Sequence, residues 1–324
     1  MKKVTAIGGG TGTFVVLSGL KQYPVDLGVI VTMMDSGGST GRLRDQLGVL
    51  PPGDLRQCLV ALSEAPMLWR QLFLYRFETG DFKGHNFGNL FLSALEKVSK
   101  DYNEVLRTAA FVLKIKGEVL PVTFDKVHLG VRYQSGKIVK GENEIEENIR
   151  EKSPITQVFL DKQARPNIRA LNRLKNSDVI IIGPGDLYTS IIPVLLVKGV
   201  KEQIVKCQAK IVFIMNLMTK SGQTNDYTAS DHLDILAFYL GRTPDIVLLN
   251  KQPIPASTLN WYKKNNEKYV VDDLQSNYFS GKIIIGDLID ITKFAKSKSD
   301  LLTRSILRHD STKLAKVIME IINL

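Results

Sequence analysis

The sequence predicts an α/β fold with a mostly parallel sheet and helices on both faces. Three observations carry that reading. Short β-branched runs alternate with longer stretches of helical spacing along the 324 residues. Leu27 to Met34 is apolar almost without interruption, the pattern of a central parallel strand covered on both sides. Glycine- and hydroxyl-rich segments follow several of these runs, at the strand ends where such sheets hold ligands.

In chain order, Val4 to Ile7 is the first strand, and a helix runs from the glycines behind it to about Lys21. After the strand at 27–34, segments 54–64, 67–77, 87–100 and 103–114 read as helices. In the third of these, Phe87, Leu90, Phe91, Ala94, Leu95 and Val98 fall at helical spacing and make one apolar face. From Glu118 to Glu142 the pattern changes. Val127, Leu129 and Val131 alternate with polar residues, and Gln134-Ser135-Gly136-Lys137 marks a hairpin turn. This points to a β-rich insertion at about 117–160. The α/β rhythm returns with a strand at 178–182 and a mainly helical stretch at 188–207, broken at Pro193 and Gly199. A strand at 210–215, a helix at 228–241 and a strand at 246–249 follow. Asp310 or Ser311 caps a last helix whose Leu314, Val317, Ile318, Ile321 and Ile322 form a face. No repeat or long linker divides the chain, so residues 1–324 read as one domain carrying the insertion.

Composition narrows the function classes. The net charge is +10, which raises nucleic acid as a partner. The excess is diffuse: residues 1–150 carry 19 basic and 16 acidic side chains, and the remainder carries 24 and 17. The densest cluster, Lys293-Phe294-Ala295-Lys296-Ser297-Lys298, lacks a stacking aromatic pattern, so no nucleic-acid partner is expected. The two cysteines, Cys58 and Cys207, have no metal-site spacing and read as buried reduced thiols of a cytoplasmic protein. The apolar stretch after Met1-Lys2-Lys3 is too short for a secretory signal. The longest uncharged apolar run, Leu187 to Val197, falls short of the ~18 residues of a membrane span.

Six segments carry the chemistry. Gly8-Gly9-Gly10-Thr11-Gly12-Thr13 follows the first strand, where backbone amides and a helix N-terminus favour a phosphate. Thr13 stands where a dinucleotide fingerprint places Gly or Ala, and no Gly-Lys-Ser/Thr follows, so neither standard motif is present. Asp35-Ser36-Gly37-Gly38-Ser39-Thr40-Gly41-Arg42-Leu43-Arg44 follows the second strand and suits an anion cradle, with Arg42 and Arg44 forking onto phosphate or carboxylate. Pro51-Pro52-Gly53-Asp54 opens a helix; Asp54 is either its N-cap or a second carboxylate beside Asp35 for a divalent metal. Gly84-His85-Asn86-Phe87-Gly88-Asn89 enters another helix, with glycine in the first turn. It reads equally as a tightly packed capped helix or as a ligand contact. Gly183-Pro184-Gly185-Asp186, with Thr189 and Ser190 beyond, is again strand, turn and helix. Asn216-Leu217-Met218-Thr219 leads through Lys220 to Thr224 and Asn225, and His232 on the next helix reads as structural.

Together these segments resemble the YvcK branch of the CofD-like family over nearly the whole chain. The resemblance implies a Rossmann-like three-layer α/β/α sandwich. The CofD branch is 2-phospho-L-lactate transferase, which moves a phospholactyl-type group onto a deazaflavin with Mg²⁺. The YvcK branch, the gluconeogenesis factors, is associated with UDP-sugars such as UDP-N-acetylglucosamine, with cell shape and with peptidoglycan and carbon metabolism. By resemblance, Asp35 and Asp54 occupy the metal-associated and catalytic positions. After Asp35 this chain has Ser36-Gly37-Gly38-Ser39, where the transferases carry further acidic residues.

Two readings follow. In the first, the chain is a cytoplasmic regulatory protein that binds a nucleotide sugar and needs no cofactor. Gly9, Gly10, Thr11, Gly12, Thr13, Gly183, Pro184, Gly185, Thr189 and Ser190 hold the diphosphate. Ser36, Gly37, Gly38, Ser39, Arg42, Arg44, His85, Asn86 and Asn89 complete the anion site. Asn216, Thr219, Thr224 and Asn225 shape the nucleoside or sugar pocket. Protein partners and a homo-oligomer are compatible with this role. In the second, it is an Mg²⁺-dependent transferase acting on a nucleotide diester, with the metal on Asp35 and Asp54. An NAD-dependent oxidoreductase is disfavoured by Thr13 and by the Gly/Arg-rich segment after Asp35.

Overall fold

The computed structural model describes residues 1–274, 278–290 and 306–323. The Lys293–Lys298 cluster lies outside the described residues. Strand β1 (Lys3–Gly8) leads into helix α1 (Gly10–Leu20), and β2 (Asp26–Val31) into α2 (Gly38–Leu47). Helices α3 (Gly53–Leu62), α4 (Met67–Leu74), α5 (Phe87–Val98) and α6 (Tyr102–Leu113) precede β3 (Glu118–Pro121). Strands β4 (Leu129–Tyr133) and β5 (Ile138–Lys140), helix α7 (Glu142–Glu147) and β6 (Ile155–Leu160) follow. The α/β pattern resumes with α8 (Ile168–Lys175) and β7 (Val179–Ile182), then a π-helical turn (Leu187–Ile191), α9 (Ile192–Leu195), α10 (Val200–Lys206) and β8 (Lys210–Ile214). Helix α11 (Ala229–Leu240), β9 (Ile246–Asn250), α12 (Ala256–Lys264) and β10 (Lys282–Gly286) come next. Short strands β11 (Ile289–Asp290) and β12 (Arg308–His309) precede α13 (Ser311–Ile322).

Seven strands form one sheet in the order β10-β9-β8-β7-β1-β2-β3, and every pair in it is parallel. Val4, Ile7, Val29, Ile30, Val31, Ile180, Ile181 and Ile182 are all buried, because helices cover both faces. This is the Rossmann-like α/β/α sandwich. Cys58 and Cys207 are buried free thiols. Asp310 accepts from the backbone amides of Thr312 (2.8 Å) and Lys313 (2.9 Å) and so caps α13. His232 is buried and bonds through Nδ1 to the Thr228 carbonyl at 2.8 Å, a structural role.

Several boundaries differ from the sequence reading. β2 leaves the ladder at Val31 rather than Met34, because the Met34 amide turns back onto Thr32 Oγ1 at 3.3 Å. β3 falls inside the stretch read as insertion, yet it is the edge strand of the main sheet; its Val119 and Leu120 are buried and show no alternation. The separate three-stranded antiparallel sheet is β5-β4-β6. The break near 199 is confirmed by Gly199 at φ +85, whereas Pro193 sits in the first turn of α9, where no backbone N–H is needed. The segment after Asp35 is helical from Gly38 onward; β10 is missing from the sequence reading although Ile283-Ile284-Ile285 is a β-branched run between glycines, and α7, α12, β11 and β12 are too short to show a clear period.

One buried cation ties the amino-terminal parts of β1 and β2 to α8. Arg173 donates from Nε to Thr5 Oγ1 (2.9 Å), from Nη1 to Asp26 Oδ1 (2.7 Å) and from Nη2 to the Val4 carbonyl (3.0 Å). Replacing it with Met removes these bonds, while the partly exposed Asp26 keeps Lys3 at 3.9 Å. Arg173→Met is expected to lower the unfolding free energy by about 1–3 kcal/mol, measured by urea denaturation, since it removes several hydrogen bonds from a buried charged donor.

Candidate functional site

Strand order reverses between β1 and β7. From β1 the chain steps outward to β2, and from β7 it steps the other way to β8. Right-handed crossovers then lie on opposite faces, and a crevice opens between the loops at the carboxyl ends. A cavity occupies that place. Gly9, Gly10, Thr11 and Gly12 line it from the β1 loop, and Pro184, Gly185 and Ser190 from the β7 segment. Asp35, Gly37, Ser39, Thr40, Gly53, Asp54 and Asn89 form a second side, and Asn216 and Thr219 reach it from the β8 loop.

Three helices begin at this cavity. α1, α2 and α3 start behind Gly9, Gly37 and Pro52, and none of these residues supplies a side-chain cap. Their leading N–H groups carry the positive ends of the helix dipoles. The two carboxylates of the sequence reading are seated among them. The Asp54 carboxylate packs on Gly9, where a Cβ would lie 2.1 Å from Oδ2. The Asp35 carboxylate packs likewise on Gly53, where a Cβ would lie 2.1 Å from Oδ2, and it accepts from the Gly37 amide at 2.9 Å. Asp54 is not the N-cap of α3, which is Pro52. Burial and the nearby Asp35 push the Asp54 carboxyl up to about 8.

A polar network holds this side in place. Arg56 donates from Nε to Asn89 Oδ1 at 2.7 Å, and Asn89 Nδ2 donates to Thr40 Oγ1 at 3.4 Å. Ser39 Oγ meets His85 Nδ1 at 3.2 Å and accepts from the Asn86 amide at 3.2 Å. Asn86 also caps α5 by accepting from the Asn89 amide at 3.2 Å. Burial, Arg42 and Arg76 lower the His85 pKa, so its imidazole is neutral near pH 7. Opposite, Asn216 clamps Gly185, accepting from its amide at 3.3 Å and donating to its carbonyl at 2.9 Å.

Not every expected residue reaches the cavity. Arg42 and Arg44 lie a turn along α2, away from its mouth. Arg42 donates to the Lys83 carbonyl at 3.2 Å, and buried Arg44 to the Val127 carbonyl at 2.9 Å. Gly38 and Gly183 lie behind the lining residues. Thr13 is buried one turn into α1, and its Oγ1 has no hydrogen-bond partner. His85 and Asn86 stand behind Ser39. Ser36 holds α7 instead: its amide donates to Glu142 Oε2 at 3.1 Å, and its Oγ accepts from the Asn143 amide at 3.0 Å. Thr189 Oγ1 faces Glu146 Oε1 at 3.5 Å. Thr224 Oγ1 accepts from the Lys220 amide at 2.8 Å, while Asn225 bonds the Gly222 amide (3.0 Å) and the Glu151 carbonyl (3.0 Å). Thr224 and Asn225 thus lock a turn onto the insertion.

Other residues arrive that the sequence reading does not assign to the site, some from within the six segments and some from outside them. α7 brings Glu142 and Glu146, four apart on one helical face. Asp186, Lys220, Trp261, Tyr262, Glu267, Arg308 and His309 complete the lining with Arg56 and Arg76. Nothing local in the sequence says that α7 folds back over Asp35. Burial and neighbouring acids push Glu142 well up and Glu146 up to about 7. Lys220 is pushed up in turn, chiefly by Asp186.

The donor set suits a hard divalent cation in part. Asp35 and Asp54 share one cavity and repel each other, a penalty that a cation would relieve. Among the described residues no group of three or more His, Cys, Asp or Glu is placed to hold a metal ion. Mg²⁺ commonly uses one or two carboxylates and completes its shell with water and substrate phosphate, so the pair fits it.

A doubly wound sheet with its crevice at the switch point defines the class. The family model described as 2-phospho-L-lactate transferase CofD matches residues 4–288. The gluconeogenesis factor of Bacillus subtilis is 38% identical over 323 residues, covering 99% of this chain and 98% of that one. The gluconeogenesis factor of Halalkalibacterium halodurans is 39% identical over 322 residues, covering 98% and 96%. A crystal structure of a UPF0052 family member from Bacillus halodurans superposes with a TM-score of 0.88 at 36% identity, covering 98% of this chain and all of that one. The chain belongs to the CofD family, and its full-length relatives include the gluconeogenesis factors.

Two outcomes test this geometry. Gly53→Ala drives a methyl into the Asp35 carboxylate and is expected to cost about 1–3 kcal/mol, read as a lowered urea midpoint. His309 is buried, and burial alone lowers its pKa to about 4. As pH falls below 6.5 the unfolded chain takes up a proton that the folded chain refuses, so stability drops between about 6.5 and 4. His309→Gln is expected to flatten that part of the stability–pH curve, and an unchanged slope would count against the assignment.

Proposed function

We propose that this chain binds the diphosphate of a nucleotide sugar, such as UDP-N-acetylglucosamine, in the crevice between β1 and β7. It acts in the cytoplasm as a gluconeogenesis factor, a regulatory protein of carbon and peptidoglycan precursor metabolism that bears on cell shape. The observation that carries this reading is the convergence of three helix N-termini without side-chain caps, α1, α2 and α3, on one cavity. Two linked phosphates are the ligand such an array suits. Asn216 and Thr219 at the other end offer hydrogen bonds to the organic part. The likeness to the gluconeogenesis factors supports the role.

A second reading has its own observation. Six carboxylates line the cavity among the described residues, Asp35, Asp54, Glu142, Glu146, Asp186 and Glu267, against Arg56, Arg76, Lys220 and Arg308. A dianion entering that field is helped by a divalent cation. In a transferase of the CofD type, Asp35 and Asp54 would hold Mg²⁺, which would neutralise charge developing on the transferred phosphate. The helix N-termini would position the nucleotide, and Asn89 and Arg56 would hold the Asp35 side of the cavity rigid.

Isothermal titration with UDP-N-acetylglucosamine, GDP and NAD, each with and without Mg²⁺, separates the readings. Saturable UDP-N-acetylglucosamine binding without metal is the expected result. Binding of GDP only with Mg²⁺, and of no uridine nucleotide, would replace the regulator by the transferase. In that case Asp54→Asn abolishes the metal-dependent part of the binding.

A further inference from the structure

One part of the cavity wall, drawn from the segments at 217–218, 261–262 and 307, has a different chemistry from the helix N-termini. Leu217, Met218, Tyr262 and Leu307 belong to a small apolar cluster separate from the main core, and Trp261 packs against it. All five also line the cavity. The wall is rigid. The Tyr262 hydroxyl accepts from the backbone amides of Ile306 (3.1 Å) and Leu307 (3.0 Å), which fixes α12 to the chain entering β12. The Trp261 ring stands edge-on to Tyr262, with centroids 4.9 Å apart and planes at 85°. Trp261 is half-buried, so part of its indole is left toward the space it lines.

An indole at a polar cleft offers a flat apolar face on which a planar ligand can stack, with an N–H at its edge. We propose that Trp261 is the platform on which the base of the bound nucleotide stacks. This rests on the nucleotide reading of the same cleft. A base fits this wall better than a sugar. A sugar needs partners for its hydroxyls, and of the six carboxylates that line the cavity among the described residues, Asp35, Asp54, Glu142, Glu146 and Asp186 come from other segments. Glu267 adjoins this wall, its amide on the Tyr262 carbonyl at 3.0 Å, and its carboxylate already accepts from the Ser221 amide at 3.4 Å. A base presents a π-face with polar groups at its edge. Asn216, Thr219 and Arg308 line the same cavity and can bond that edge. Trp261 is thus assigned to affinity for the base, and the helix N-termini to the phosphates.

The chain has two tryptophans, Trp69 and Trp261, so Trp69→Phe leaves Trp261 as the only indole reporter. Trp69 lies on α4 and does not line the cavity. In Trp69→Phe, UDP is expected to change the Trp261 emission saturably, and pyrophosphate is expected not to. By calorimetry, Trp261→Ala is expected to weaken UDP about tenfold or more while pyrophosphate affinity stays within twofold, and Trp261→Phe to recover most of the loss. The proposal is overturned if UDP binds the wild type yet neither the emission nor the Trp261→Ala affinity changes. It is also overturned if N-acetylglucosamine 1-phosphate, and not UDP, shifts the emission, because the wall then holds the sugar. If the wild type binds none of the nucleotides UDP, UDP-N-acetylglucosamine, GDP and ADP by calorimetry, the nucleotide reading itself fails, and this proposal with it. The emission readout in Trp69→Phe remains decisive even if Trp261→Ala does not fold.

Discussion

The reversal of strand order between β1 and β7 is the constraint from which the site follows. Two neighbouring parallel strands send their connections in opposite directions, so no helix can close over the gap between their carboxyl ends. The glycines behind β1 and β7 let backbone line that gap where side chains would fill it. α1 starts there because β1 ends there. The segments after β2 and before α3 are drawn to the same place, since β2 lies beside β1 in register.

Within that frame, charge is managed by backbone. Asp35 and Asp54 lie against glycine Cα atoms and under helix N-termini, where amides such as that of Gly37 offset part of the cost of their burial. The cations that do line the cavity, Arg56, Arg76, Lys220 and Arg308, come from four separate segments. Arg56 is spoken for by Asn89, which makes it a brace for the site as much as a source of field.

The three-stranded insertion is part of the site's construction. Its helix α7 delivers Glu142 and Glu146 and is held by Ser36. The Tyr133 hydroxyl donates to the Gly222 carbonyl at 3.0 Å, and Asn225 reaches back to Glu151, so the insertion also fixes the loop that carries Lys220. Residues from the middle of the chain therefore connect the two halves of the sheet across the crevice.

Periodicity and glycine punctuation, which are local, determined the α/β class, the order of most elements and the six segments at strand ends. They located Gly9 to Gly12, Asp35, Asp54, Pro184, Gly185, Asn216 and Thr219 correctly as neighbours, because a parallel sheet gathers its strand ends on one side. The direction of a side chain on its helix depends on what packs against it. For that reason Arg42, Arg44, Thr224 and Asn225 were expected in the cavity and instead hold backbone elsewhere. Glu142, Trp261 and His309 lie outside the six segments, and contacts far along the chain bring them in. The sequence by itself determined which strand ends could meet. Only the tertiary structure decided which side chains close the cavity around them, because that depends on long-range packing against α7, α12 and β12.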